Sequence, residues 1–336
     1  MNQKKKVNIQ DIAQEANVSI STVSRVLNNG TSVTEAKRKA VLQAVADLDY
    51  QPNVAAQALA GGQTKTVGVI TQDISSPFYD AILRGVRHGF EGSGYFPIFT
   101  DGRWQVAKEQ KAIQTLLARR VDGLIILGGC SPEDALQKLA GQVPLIIIGR
   151  SLPSLTNQCL ALDNFAGSYK ATQHLIELGH QRIAHIAGIL SHQDAVERRA
   201  GYKQALADAG LESDPELIIE GDFQEQSGVL AVEMLLTRTR PFSAIFASND
   251  QMACGVLLGL YRRGIRVPDD VSVIGFDDQR MSAYTTPPLT TVRQPAIEIG
   301  ETAAQILLHL LNDKLFEIPQ FTAELVVRES VARYRY

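Results

Sequence analysis

Ser19, Ile20, Ser21, Thr22 and Arg25 place hydroxyls, a branched hydrocarbon and a guanidinium within seven consecutive residues. Such a set can address a base edge. A guanidinium grips guanine O6 and N7 through two hydrogen bonds, a hydroxyl donates or accepts, and Ile meets a thymine methyl or fills space. A helix whose first turn enters the major groove delivers those groups together. A second set is spread over the rest of the chain: Asp73, Phe78, Trp104, Arg150, Arg198, Phe223, Asn249, Asp277 and Gln294. Charged forks and amides hold hydroxyls, and flat rings cover C–H faces, so these residues suit a polyhydroxylated ligand if the fold gathers them.

Catalytic constellations are not offered. Gly61-Gly-Gln-Thr-Lys-Thr66 lacks the Walker A spacing, there is no HExxH, and the six His residues are scattered, with His174, His180 and His185 reading as helix-surface or strand residues. Cys130, Cys159 and Cys254 are odd in number and far apart, so neither a disulfide framework nor a CxxC site is expected. The chain is expected to be no enzyme and to hold no cofactor or metal.

The elements that must position the first set lie in residues 1–50. Asn8 is placed to cap a helix to Glu15, Ala16-Asn17-Val18 to turn the chain, and Ser19 to cap a helix from Ile20 to Asn28 with Val23 and Leu27 inward. Thr34 then starts a third helix to about Leu48, with Val41, Val45 and Leu48 on one stripe. Two short helices joined by a tight turn form a helix-turn-helix pattern. The first 65 residues carry a net charge of +3 and the remainder −6, so a polyanion partner is expected for the head alone. Residues 51–64 contain an uncharged, Ala-rich stretch ending in two glycines, a linker whose helical turns would order only against a partner.

From residue 65 to 336, β-rich apolar runs alternate with amphipathic stretches, the mark of βαβ units. Strands are expected at Thr66 to Thr71, Phe96 to Thr100, Gly123 to Leu127, Pro144 to Ile148, Leu160 to Leu162, Arg182 to Ala187, Leu217 to Glu220, Ala244 to Ala247 and Val271 to Phe276. Helices include Phe78 to Phe90, Val106 to Leu117, Gly167 to Leu178 and Gln251 to Arg263. Nine strands in two groups imply two similar lobes, and ligands of open α/β sheets bind beyond the carboxyl ends of the strands. With 336 residues, 45% hydrophobic and 21% charged, disorder and fibrous classes are excluded. The basic start leads into polar sequence, and no apolar run reaches about 20 residues, so neither a signal peptide nor a membrane span is expected and the location is expected to be cytoplasmic.

Particular stretches resemble the Lac/Gal repressor family of bacterial transcription regulators along essentially the whole chain. They are Ile9-Gln-Asp-Ile-Ala-Gln-Glu-Ala-Asn-Val-Ser19, Ser21-Thr-Val-Ser-Arg-Val-Leu-Asn28, Tyr50-Gln-Pro-Asn53 and Leu59-Ala-Gly61 in the head and linker. In the body they are Arg198-Arg-Ala-Gly-Tyr202, Ser248-Asn-Asp-Gln-Met252, Val273-Ile-Gly-Phe-Asp-Asp278 and Pro287-Pro-Leu-Thr-Thr-Val-Arg-Gln294.

The resemblance implies an all-α three-helix helix-turn-helix head, a hinge helix, and an α/β two-lobed core with parallel sheets like the periplasmic sugar-binding proteins. It further implies that Ser19, Ile20, Ser21, Thr22, Arg25, Asn28 and Asn53 meet operator DNA and that Leu59 wedges into a minor-groove step. Arg198, Asn249 and Asp277 match positions that hold effector hydroxyls, and Phe223 and Trp104 match aromatic walls. Trp104 could instead be core, Asp278 is expected to be structural, and Gly149 stands where some relatives carry an acid. The expected function is a DNA-binding repressor of a carbohydrate-utilisation operon controlled by a sugar, with a purine or nucleoside responder, or a sugar sensor without DNA, as alternatives. A homodimer formed mainly through lobe surfaces, such as the helix around Phe78 to Phe90, is expected. A final strand and short polar tail without heptads point away from a tetramer.

Overall fold

A computed structural model describes residues 7–27, 32–50, 63–238 and 240–335, and the chain divides into two compact units at Lys65. The expectations for Asn28, Asn53, Leu59 and the hinge helix lie outside the described residues.

In the first unit, α1 (Ile9–Glu15), α2 (Ile20–Leu27) and α3 (Glu35–Asp47) surround a core of Ile12, Ala13, Val23, Val26, Val41 and Ala44. The start of α1 is fixed reciprocally. The Asn8 side chain accepts from the Gln10 and Asp11 amides, and the Asp11 carboxylate accepts from the Asn8 amide at 2.8 Å. Asn17 takes the left-handed conformation, φ 49°, that a short polar side chain tolerates, and so turns α1 into α2. The inward stripe of α2 is Val23 and Val26, with Leu27 only partly covered.

The second unit holds two α/β lobes. The first sheet runs β2 (Phe96–Asp101), β1 (Thr66–Thr71), β3 (Gly123–Leu127), β4 (Leu145–Ile148), β5 (Cys159–Leu160), all parallel. It is covered by α4 (Pro77–Phe90), α5 (Val106–Ala118), α6 (Glu133–Ala140) and α11 (Ala296–Leu310). β3 and β4 are buried throughout, which is why their sequences are unbroken apolar runs. The second sheet is ordered β11 (Glu324–Val326), β10 (Thr290–Arg293), β9 (Ser272–Asp277), β8 (Ala244–Ala247), β6 (Ile183–Ala187), β7 (Ile218–Glu220), parallel except for β10 with β11. Its helices are α7 (Asn164–Glu177), α8 (Gln193–Asp208), α9 (Glu225–Thr237) and α10 (Asp250–Arg262). The chain passes between lobes after β5, after β10 and before β11.

Helix pairs are seated on glycines. A Cβ at Gly85 of α4 would lie 2.0 Å from the Ile297 carbonyl of α11, and one at Gly255 of α10 would lie 1.9 Å from the Glu225 carbonyl of α9. Backbones this close leave no room for a side chain.

One expectation needs correction. Leu162 is not in a strand: β5 ends at Leu160, and Leu162 makes only an isolated bridge to Phe321 where the chain crosses between lobes. The polar tail is tied to the second sheet. Ser330 is fully buried, its hydroxyl donating to the Val273 carbonyl and accepting the Thr290 amide, and the Tyr334 amide donates to Leu178. The exposed residues of α4 are Pro77, Asp80, Arg84, Arg87 and His88. Exposed apolar side chains include Phe96 (71% exposed), Ile98 and Phe99 on edge strand β2, and Leu258, Tyr261, Met281 and Tyr284.

Candidate functional site

On the head, Ser19, Ile20, Ser21 and Arg25 are exposed, and Thr22 is half-buried. The Ser19 hydroxyl accepts the Thr22 amide at 3.2 Å and lies 2.9 Å from both the Ser21 and Thr22 hydroxyls. The hydroxyls therefore start the helix and stand at its N-terminal end, beside Ile20, while Arg25 follows one turn later. Lys37 and Lys39 are exposed on α3. That arrangement can offer polar contacts to base edges from one helix and charge to a phosphate backbone from another.

In the core, Asp73, Phe78, Trp104, Arg198, Phe223, Asn249 and Asp277 line one cleft beyond the strand ends. An outer chamber continues from it past Phe78, Trp104 and Arg198 to Arg150. Each residue arrives by its element. Trp104 follows β2, its amide donating to the buried Gln72 Oε1 at 3.2 Å. Phe223 follows β7, and Asp277 ends β9. Trp104 (φ 52°), Phe223 (φ 68°) and Asp277 (φ 112°) all hold positive φ, a strain that clusters where structure serves a site.

Arg198 is the most constrained group. It is 3% exposed, its Nε donates to Asn164 Oδ1 at 2.9 Å, its Nη1 to the Ser248 carbonyl, and its Nη2 lies 3.6 Å from Asp277 Oδ1. Its guanidinium sits 4.0 Å above the Phe276 ring. Burial pushes the Asp277 carboxyl up to about 6 against the lowering effect of Arg198. Behind it, Asp250 accepts from Ser282, Thr291 and Gln279, and burial together with the charge of Asp277 raises it to about 7.

Asn249 caps α10 through Oδ1 to the Met252 amide, and its Nδ2 donates to the Phe223 carbonyl at 2.9 Å. One amide hydrogen remains for a ligand. Gln294 is placed differently: its Nε2 donates to Asp277 Oδ1 at 2.9 Å and it lines a separate surface groove, so it supports Asp277 and does not face the cleft. Arg150 donates to the Ser131 carbonyl at 2.9 Å. Asp278 pairs with Arg293 and Arg328 at 2.7 and 2.6 Å, a structural role as expected.

Sequence reasoning missed Tyr79, His192, Asp194 and Asp222, all on the cleft wall. Asp194 was discoverable, lying one helical turn before Arg198 on the same face of α8. His192 was not. It stacks on Trp104 at 3.8 Å and lies 6.2 Å from Phe223 in nearly parallel planes, and burial holds it below the ordinary imidazole range. The Tyr79 hydroxyl is kept protonated by burial and by Asp194, Asp277 and Asp73. Among the described residues no group of three or more His, Cys, Asp or Glu could hold a metal, and no helix is long and apolar enough to cross a membrane.

Residues 8–53 match the bacterial regulatory proteins of the lacI family, and residues 172–331 match a periplasmic binding protein-like domain. The HTH-type transcriptional regulator GalR of Escherichia coli K12 is 40% identical over 327 residues, 96% of this chain and 95% of GalR. The chain belongs to the LacI family. It is thus a DNA-binding transcriptional repressor with an effector-binding core, and its relatives are regulators, not enzymes. A lac repressor dimer bound to operator and the anti-inducer ONPF has a TM-score of 0.88 at 32% identity, over 98% of this chain and all of that one. The regulator CelR in complex with cellobiose has a TM-score of 0.72 at 34% identity, over 96% of this chain and 99% of that one.

Proposed function

We propose that this LacI-family member is a homodimeric repressor of a carbohydrate-utilisation operon whose operator affinity is set by a small saccharide held between the lobes. The observation that carries this is the cleft itself: a buried Arg198–Asp277 pair and several carboxylates face the rings of Trp104 and Phe223. Carboxylates accept hydrogen bonds from ring hydroxyls, and aromatic faces cover the C–H surface of a pyranose. Ser19, Ile20, Ser21, Thr22 and Arg25 would address the major groove, and Asn28, Asn53 and Leu59 would add contacts from the following segment. Two such heads on a two-fold axis fit a pseudo-palindromic operator. β2 with its exposed Phe96, and the surface of Leu258, Tyr261, Met281 and Tyr284, are apolar enough to join two cores.

One observation favours a second occupant. Trp104, His192 and Phe223 form a run of nearly parallel rings, and a purine base could take the place of the imidazole. Thermal unfolding of the full chain against panels of saccharides and of purines separates the two. A ligand at 100 times its Kd adds roughly 2.7 kcal/mol to native stability. Stabilisation by a saccharide is the expected result; stabilisation by purines alone would overturn it.

A further inference from the structure

The cleft carries more carboxylates than cations. Asp73, Asp194, Asp222 and Asp277 line the inner chamber against Arg198, and Arg198 already faces Asp277 at 3.6 Å. Among the described residues, Asp73, Asp194 and Asp222 stand in no ion pair. Each spends one carboxylate oxygen locally: Asp73 Oδ1 accepts from the Ser75 amide and hydroxyl, Asp194 Oδ1 from the Ala195 amide, and Asp222 Oδ1 from the Gln224 amide. The outer chamber adds Arg150, but the loop that holds Arg150 is itself seated on an acid. Glu109, fully buried, accepts the amides of Cys130 at 3.0 Å and Ser131 at 3.3 Å, and Arg150 donates to the Ser131 carbonyl. Four carboxylates therefore line the two chambers against two guanidiniums, with Glu109 behind the wall.

The remaining polar groups are neutral. The Tyr79 hydroxyl stays protonated, and His192 Nδ1 is buried without a hydrogen-bond partner on the same wall. Aromatic walls lower the local dielectric, so uncompensated charge acts strongly on whatever enters.

We propose that the cleft accepts an uncharged or amino-substituted saccharide and rejects the phosphorylated and acidic forms of the same sugar. The carboxylates of Asp73 and Asp194 would receive the ring hydroxyls and supply the repelling field, while Asp222 adds charge at the exposed rim. Hydroxyl donors gain charge-assisted bonds there, and an ammonium gains attraction as well. A phosphate or carboxylate would meet like charge at close range and be disfavoured. This inference rests on the saccharide function proposed above.

The test is calorimetric titration of the full chain with four versions of each hexose in the gluco, galacto and manno series. These are the parent sugar, its 2-amino-2-deoxy form, its 6-phosphate and its uronic acid. In the series that binds, the parent and amino forms should bind, and the phosphate and uronate should be weaker by about tenfold or more. A phosphate or uronate as tight as its parent would overturn the charge selection and leave the saccharide function standing. Purines that bind where no saccharide does would overturn that function and the selection with it. A D73N/D194N variant with a native-like circular dichroism spectrum should recover about tenfold or more in affinity for the 6-phosphate relative to the parent sugar; an unchanged ratio would also overturn the proposal.

Discussion

Trp104 and His192 stack face to face across the cleft, ring centroids 3.8 Å and planes 18° apart, joining a loop of the first lobe to the segment that enters α8 in the second. Trp104 is the chain's single tryptophan, so tryptophan emission reports on this ring's surroundings. Removing the imidazole admits water to the indole face. His192→Ala should red-shift the emission of the ligand-free protein, and a bound saccharide covering the ring should move it back. Identical spectra for variant and parent would contradict the stack.

The affinity of the cleft should depend on Asp277 more simply than on Arg198. Asp277→Asn keeps the shape, removes the charge-assisted acceptor, and should weaken saccharide binding by about 1–3 kcal/mol with operator affinity retained. Arg198→Ala should cost more than binding. It strands Asn164, the Ser248 carbonyl and Asp277 in the interior, and breaking a buried pair costs about 3–5 kcal/mol of stability. Calorimetry and thermal unfolding of both variants check the contrast; equal thermal stability of Arg198→Ala and the parent would contradict it.

The buried acids set a pH dependence. Asp250 is raised to about 7 from an ordinary value of 3.8, so between those pH values the folded state binds more protons than the unfolded state. Its contribution is therefore most favourable at low pH and is lost as pH rises through about 7. Asp277, raised to about 6, acts in the same sense. His185, lowered to about 3 by burial, acts oppositely below the ordinary imidazole value, so the comparison needs a variant. The stability of Asp250→Asn relative to the parent should increase from pH 5 to pH 8 in paired thermal unfolding curves. A difference that does not move with pH would refute the raised carboxyl.

For the head, Arg25→Ala should weaken binding to a selected operator duplex by about 1–3 kcal/mol while saccharide affinity stays the same. Fluorescence anisotropy at physiological salt checks this, and equal affinities of variant and parent would remove Arg25 from the interface.

The elements that place these residues were legible where a local signal sufficed. The Asn8 capping pattern, the turn at Asn17 and the apolar runs of β1, β3 and β4 are written in consecutive residues, and so are the strand ends that carry Asp73 and Asp277. What the sequence left open depends on contacts between distant segments. His192 is known as a cleft residue only once the loop after β2 brings Trp104 against it. Gln294 looked like a ligand contact because it follows β10, yet its amide is drawn to Asp277. Nothing in the polar tail's own residues shows that the Ser330 hydroxyl donates to the Val273 carbonyl and accepts the Thr290 amide.

Coupling between cleft and head is tested by operator anisotropy with and without the saccharide that most raises the thermal stability of the full chain. Allosteric coupling energies of about 1–3 kcal/mol correspond to shifts of roughly 5–150-fold. Operator affinity should change by about fivefold or more when the cleft is saturated. A saccharide that saturates the cleft and leaves operator affinity unchanged would contradict a regulator controlled through that site.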